Sequence, residues 1–170
     1  MGHQMACLAL LEGLGAEAVW LVPAFTHPFG KALAPFAHRA AMCRLMAAAF
    51  GARVQVSCAE RDLGGLGRTY DLVSALVAAH PERRFILAIG ADIVAETARW
   101  HKWDALMQMI GVVVLGRGGY TAHAHTFDLP NIASRTLRAK LQAKETVTGQ
   151  MPCSVVAYIQ AHNLYGAPEV

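Results

Sequence analysis

The chain has 170 residues, of which 55% are hydrophobic and 16% charged, and its formal net charge is +3. That composition fits one globular domain with a sizeable core and excludes a disordered chain. Lys and Arg are scattered without a basic run, which argues against bulk nucleic-acid binding and leaves small phosphorylated ligands as suitable partners.

The segments alternate along the chain. The spacing predicts a helix over Gln4–Leu14, ended by Gly13 and Gly15. "AVWLVP", Ala18 to Pro23, is a short apolar run stopped by proline and reads as a buried strand. "APFAHRAAMCRLMAAAF" sets Met42, Leu45, Met46, Ala49 and Phe50 at helical spacing, and a second strand, "VQVSC", starts at Val54. "ERDLGGLGR" reads as a glycine-rich loop. Thr69 is placed to cap a helix whose apolar face is Leu72, Leu76 and Val77. "FILAIG", Phe85 to Gly90, is a third strand, followed by short helical pieces around Trp100 and Leu106. "GVVVLG", Gly111 to Gly116, is a fourth strand, and "RGGYTAHAHTFDLPNIA" reads as a long polar loop. Ser134 then caps a short helix with Leu137 and Leu141 inward. Pro152 opens a last helix through Val155, Val156 and Ile159, with Gly166 beyond its end.

Apolar strands alternating with helices predict an α/β fold, a Rossmann-like three-layer sandwich whose parallel sheet is covered on both faces. One domain spans 1–170, with a small C-terminal helical part at 131–166. Ligands in such folds bind beyond the C-terminal ends of the strands. The candidate regions are therefore Pro23 to Lys31, Cys58 to Arg68, Gly90 to Asp92 and Gly116 to Gly119. Cys7, Cys43, Cys58 and Cys153 form no C-x-x-C pair, which fits a reduced, intracellular protein. No apolar stretch suits a bilayer span, and the N-terminus lacks the basic region of a signal peptide and the hydroxyl residue myristoylation needs. The expectation is a cytoplasmic enzyme without a membrane partner.

Several residues are suited to chemistry. In "VPAFTHPFGK", His27 and Lys31 sit in a proline-stiffened loop that either binds phosphate or is an ordinary surface loop. In "AIGAD", Gly90 permits a close approach of the backbone, and Asp92 either accepts hydrogen bonds from a ribose or caps the next helix. "RWHKW" places Trp100 and Trp103 one turn apart, for stacking on an aromatic ligand or for the core. In "NIASRTLR", Ser134 at a helix start and Arg138 on the same side combine into an anion site, or into a capped helix with a solvated arginine. The eight histidines lack zinc-site spacing, and the close pair His123 and His125 reads as solvated.

Taken in order, these pieces resemble the nucleotidyltransferase α/β-phosphodiesterase superfamily, and within it the bacterial nicotinate-nucleotide adenylyltransferases. "GHQ" resembles the end of the family's H-x-G-H signature, and "VWLVPAFTHPFGK" its strand and loop ending in Lys. "RTYDLVSAL" is similar to the Ser-Tyr-Thr segment that leads into a helix. "IGADI", "RWHKWDAL" and "VVVLGRGGY" are similar to the Gly-x-Asp, Trp and Arg-Pro-Gly-Tyr stretches. "IASRTLR" resembles the Ile-Ser-Ser-x-x-Ile-Arg motif and "VVAYIQAHNLYG" the closing helix. Some positions depart from the pattern. Met1 stands at the x of H-x-G-H, so the expectation is a late start that omits the first strand and its Gly-Gly-x-Phe-x-Pro loop. "FGK" replaces Pro-His-Lys, Ala133 replaces the first Ser of the C-terminal motif, and Asp71 and Val73 stand where Thr and Asp are common.

The resemblance implies adenylyl transfer in NAD biosynthesis. The phosphate of nicotinate mononucleotide attacks the α-phosphorus of ATP in line, giving deamido-NAD and pyrophosphate, with Mg²⁺ arriving on ATP. It implies His3, Lys31 and Arg138 as catalytic residues, and Gly2, His3, Gly90, Asp92, Ser134 and Arg138 around ATP. His27, Lys31, Thr69, Tyr70, Trp100 and Arg117 fall on the mononucleotide side. Two other readings stay open. One is a sister enzyme that uses nicotinamide mononucleotide or another phosphorylated acceptor such as phosphopantetheine. The other is a non-catalytic nucleotide-binding remnant or an interaction protein; in any of these readings the 170-residue form either leaves the first strand's place vacant or fills it from a second copy as a homo-oligomer.

Overall fold

The computed structural model describes residues 1–26, 33–64, 67–118 and 126–166. Its contacts divide the chain into two compact units, each with its own parallel sheet and its own cores.

The first unit begins with α1 (Gly2–Leu8), which runs directly into a π-helical turn at Ala9–Gly13. Gly15, at φ +66°, ends this run in the left-handed region that glycine tolerates best. Strand β1 (Val19–Leu21) pairs in parallel with β2 (Val54–Val56), Val19 opposite Val54. Between them lies α2 (Phe36–Ala47), an alanine-rich segment with high helix propensity whose small side chains allow close approach. The helix predicted through Phe50 gives way after Ala47 to a 3-10 turn, Ala48–Arg53, in which Gly51 takes φ +58°. Helices α6 (Ser134–Gln142) and α7 (Cys153–Ala161) complete this unit.

Two buried groups hold it together. Cys7, Leu11, Ala47 and Val54 pack α1 and its π-turn onto α2 and the sheet. Met46, Leu137, Leu141, Val147, Val155 and Ile159 pack α6 and α7 onto α2. Leu21 touches both groups and links them. Arg53 donates to Glu12 at 2.6 Å, but both side chains are about half exposed. Solvent screening leaves such a pair worth about 0–1 kcal/mol, so burial of apolar surface carries this unit.

The second unit contains α3 (Ala59–Leu63), a short helix inside the segment expected to be a loop, and α4 (Thr69–Ala79). Its sheet is β3 (Ile86–Gly90), β4 (Gly111–Arg117) and β5 (Thr126–Leu129), all parallel in the order β3-β4-β5. Between β3 and β4 run a 3-10 segment, Ala91–Arg99, and α5 (Trp103–Met109). Strand β4 is buried at four successive positions, Val113 to Gly116. A continuous apolar run of this kind marks a central strand covered on both faces. Strand β5 falls inside the predicted polar loop. Its four residues, Thr-Phe-Asp-Leu, alternate polar and apolar but form too short a pattern to stand out from the loop, and they pair with β4 across a register shift at Leu115/Gly116. On α4 Val77 packs on the core as expected, but the buried residue is Val73, with Tyr70 beside it, in place of Leu72 and Leu76. Val73, Leu106 and Ile110 form one core, and Ile89, Ala91 and Val114 another.

Among the described residues no helix is long and apolar enough to cross a membrane. The four cysteines are free; Cys7 is buried, whereas Cys153 is exposed.

Two predictions follow from these cores. Leu106 is fully buried at 0% exposure, so Leu106→Ala is expected to lower the unfolding free energy by about 2–5 kcal/mol in urea titration. Burial raises the Cys7 thiol from 9.0 to about 11. The folded protein therefore holds that proton to higher pH than the unfolded chain does. The resulting stabilisation is complete below pH 9 and is lost as pH rises towards 11. Unfolding curves measured across that window should fall for the natural chain and flatten in Cys7→Ala.

Candidate active site

In the first unit, two helix starts come together. A Cβ added to Gly2 would lie 3.8 Å from the carbonyl oxygen of Ile132, two residues before α6. The Met1 amino group donates to the Gln150 carbonyl at 3.1 Å, and Gln4 Nε2 donates to the Met46 carbonyl at 3.4 Å. These contacts set Gly2 beside Ile132 and tie the start of α1 to Gln150 and Met46. The N-cap of α6 is Ala133, and no side chain caps it. Ser134 is thus the first helical residue rather than the predicted cap. Among the described residues no side-chain cap is made at this turn, and no acidic residue occupies it. Ser134 is exposed and Arg138, one turn on, is half-buried. A helix N-terminus free of acids, with a hydroxyl and a guanidinium on it, is suited to an anion.

Tyr165 lies near Arg138. Its backbone sits at φ 60°, ψ 22°, unusual for a bulky residue, and its ring packs on the α6–α7 core. Burial raises its phenol pKa, and the positive charges of Arg138 and Arg39 oppose that rise.

In the second unit, Asp92 and Arg117 lie just past the parallel pairing of β3 with β4. Arg117 Nη1 donates to Asp92 Oδ2 at 2.9 Å, with both side chains 28% exposed. Asp92 does not cap the 3-10 segment: the N-cap there is Gly90, with no side-chain hydrogen bond. The alternative of Asp92 as a simple cap is thereby removed, and its carboxylate belongs to an ion pair.

The same unit gathers an aromatic group. Trp100 and Trp103 meet edge to face with ring centroids 5.5 Å apart, and both pack on the core of Ile89, Ala91 and Val114. They do not share a helix, because Trp100 ends the 3-10 segment and Trp103 begins α5. Between them Lys102 takes φ 52°, which aims its ammonium over the Tyr70 ring at 4.8 Å. His101 approaches the same ring edge-on at 6.0 Å. An open hollow of about 590 Å³ is lined by Thr97, Trp100, Lys102, Trp103 and Asp104, among others. Thr97 is buried and satisfied by the Val94 carbonyl at 2.8 Å. Thr69 is the first residue of α4, behind an N-cap at Arg68 that carries no side-chain cap.

His27 and Lys31 lie outside the described residues, as do His123 and His125. Gly2, His3, Ser134 and Arg138 therefore fall in the first unit. Gly90, Asp92 and Arg117, and separately Tyr70 and Trp100, gather in the other. Sequence reasoning missed Lys102 and the Asp92–Arg117 pair. Laying "ILAIG" beside "GVVVL" would have found the pair, since each charge stands two residues beyond the aligned strand ends. Among the described residues no group of three or more His, Cys, Asp and Glu side chains is placed to hold a metal ion.

No family model matches the chain. Curated relatives do. It is 44% identical over 168 residues to the probable nicotinate-nucleotide adenylyltransferase of Anaeromyxobacter dehalogenans strain 2CP-C, covering 97% of this chain and 89% of that one. The corresponding protein of Myxococcus xanthus strain DK1622 is 35% identical, with 98% and 88% covered. In structure, the chain resembles the Plasmodium falciparum nicotinic acid mononucleotide adenylyltransferase complexed with NaAD. The TM-score is 0.79 at 18% identity, covering 98% of this chain and 91% of that one. The same enzyme complexed with APC gives 0.78 at 16% identity, with the same coverage. The structural likeness carries the α/β nucleotidyltransferase fold, and identity at this level over nearly the whole chain carries the family. The chain belongs to the nicotinate-nucleotide adenylyltransferases.

Proposed function

We propose that this chain transfers the adenylyl group of ATP to nicotinate mononucleotide, releasing pyrophosphate and deamido-NAD. The observation that carries the reading is its 44% identity to a nicotinate-nucleotide adenylyltransferase across 97% of its length. The arrangement at the start of α6 supports it from the chemistry.

The acceptor phosphate is already an anion, so the reaction needs no strong base. Its oxygen forms a bond to the α-phosphorus, and the bond from that phosphorus to the bridging oxygen of pyrophosphate breaks. Catalysis is then chiefly alignment together with stabilisation of charge on the phosphoryl oxygens. In the first unit, His3 and Arg138 would supply donors to those oxygens, with Gly2 allowing close approach. Ser134 and the uncapped first turn of α6 add neutral donors. Lys31 is the further cation assigned by the resemblance, with His27 beside it. In the second unit, Gly90 and Asp92 serve the nucleotide ribose. Trp100 offers a face for the pyridine ring, with Thr69 and Tyr70 on the acceptor side.

Mg²⁺ belongs to this reading as part of the substrate, carried on the phosphate oxygens of ATP and water. The described residues fit that role better than a resident ion, because Asp92 is already paired with Arg117. The relatives' names support the acid acceptor.

Pyrophosphate release from MgATP, with nicotinate and nicotinamide mononucleotides in parallel, tests the reading. Turnover with the acid preferred is expected, and equal or exclusive use of the amide overturns the choice of acceptor. Arg138→Ala is expected to cut kcat/KM for ATP by about 10- to 100-fold through loss of charged hydrogen bonds. Its urea midpoint should stay near that of the natural chain, and an unchanged ATP dependence would remove Arg138 from the site. Trp100→Ala should raise KM for the mononucleotide about tenfold, within the range that stacking on an aromatic face supports. Its KM for ATP should barely move, whereas equal effects on both would place Trp100 in the core alone.

A further inference from the structure

The Asp92 carboxylate is held from one side only. Oδ2 takes the guanidinium of Arg117 at 2.9 Å. Oδ1 is buried and has no hydrogen-bond partner among the described residues. A buried carboxylate oxygen without a donor is costly, so a free Asp92 would turn towards solvent or another donor. Gly90 shows how the side chain lies. A Cβ added there would collide with Asp92 Oδ1 and sit 3.9 Å from Arg117 Cδ. The carboxylate is folded back over Gly90, in space that only a residue without a side chain leaves open. Gly90 has an ordinary extended backbone, φ −75° and ψ 145°, so the glycine serves this approach and not an unusual turn.

The strand register produces the pairing. Gly90 stands opposite Leu115 in the β3–β4 ladder. Two residues further along each chain are Asp92 and Arg117, so the ladder carries the guanidinium to the carboxylate. The pair is partly shielded, at 28% exposure on each side, where an ion pair resists screening better than at an open surface.

We propose that Arg117 is a positioning residue: it fixes the Asp92 carboxylate over Gly90 in one orientation and acts on the nucleotide only through that group. This differs from the place on the mononucleotide side, near the substrate phosphate or the cleft wall, that the family resemblance implies for Arg117. It rests on the reading of Asp92 as a ligand of the ATP ribose. Arg117 neutralises Oδ2, and Oδ1, folded over Gly90, has no donor among the described residues. Arginine suits this task because its planar fork holds a carboxylate at a fixed angle, which the single ammonium of lysine does not.

A double-mutant cycle on Arg117 and Asp92 in the full chain tests the proposal. Steady-state kinetics with MgATP and nicotinate mononucleotide are read beside calorimetric binding of MgATP alone. Arg117→Ala is expected to raise KM for ATP and weaken ATP binding about tenfold, with KM for the mononucleotide within about twofold. Asp92→Asn should do the same, and the double variant should be no worse than Asp92→Asn, since residues acting through one another are non-additive. Arg117→Lys should recover only part of the loss. It also replaces Arg117→Ala in the cycle if that variant does not fold. Additive losses, a rise confined to KM for the mononucleotide, or ATP binding unchanged in Arg117→Ala with only stability reduced each overturn the positioning role. If the natural chain binds MgATP but turns over neither mononucleotide, the adenylyl-transfer reading fails. The cycle is still decided by the binding data.

Discussion

The parallel ladder between β3 and β4 is the constraint on which the second unit depends. Its five paired positions run from Ile86 opposite Gly111 to Gly90 opposite Leu115. Period-two side-chain placement makes this register all or nothing: a one-residue slip would turn Ile89 and Val114 out of the core they share. The same register delivers Asp92 to Arg117. The apolar interior and the polar pair at the strand ends are therefore two consequences of one alignment, and neither can be altered without the other. Burial of β4 on both faces makes the alignment rigid, because a fully covered strand has no alternative surface to expose.

In the first unit the equivalent constraint is packing of helices on α2. Met46 lies in the core that anchors α6 and α7, and its neighbour Ala47 lies in the core that anchors α1. Adjacent residues on α2 thus hold both α1 and α6. A Cβ built on Gly2 would meet Ile132 at ordinary van der Waals distance. His3 and Ser134 are exposed and Arg138 is half-buried, so all three leave polar groups outside these cores.

Much of this was legible in the residues. The apolar runs at Val19, Val54, Ile86 and Gly111 each became parallel strands, because short β-branched runs bounded by Gly and Pro have few other ways to bury themselves. Leu137 and Leu141 face inward as their spacing requires. Strand β5 was not legible, because four alternating residues, Thr126–Leu129, are too few to separate a strand from the polar loop around them until they pair with β4. Caps were misjudged at Thr69 and Ser134, which open their helices one residue after the true N-caps Arg68 and Ala133. A hydroxyl residue near a helix start satisfies the same composition at either position, and only backbone geometry separates them.

By itself, the sequence determined the alternation of strands and helices and the order of motifs that identifies the family. Both are one-dimensional properties, set by hydrophobic period and by residues kept at fixed spacing. Tertiary structure alone decided that Asp92 pairs with Arg117 and is not a helix cap, that Lys102 turns into the left-handed region over Tyr70, and that Gly2 meets Ile132. Those facts join residues 25, 32 and 130 positions apart. Contacts between distant segments are fixed by strand register and core packing, which no local stretch of sequence contains.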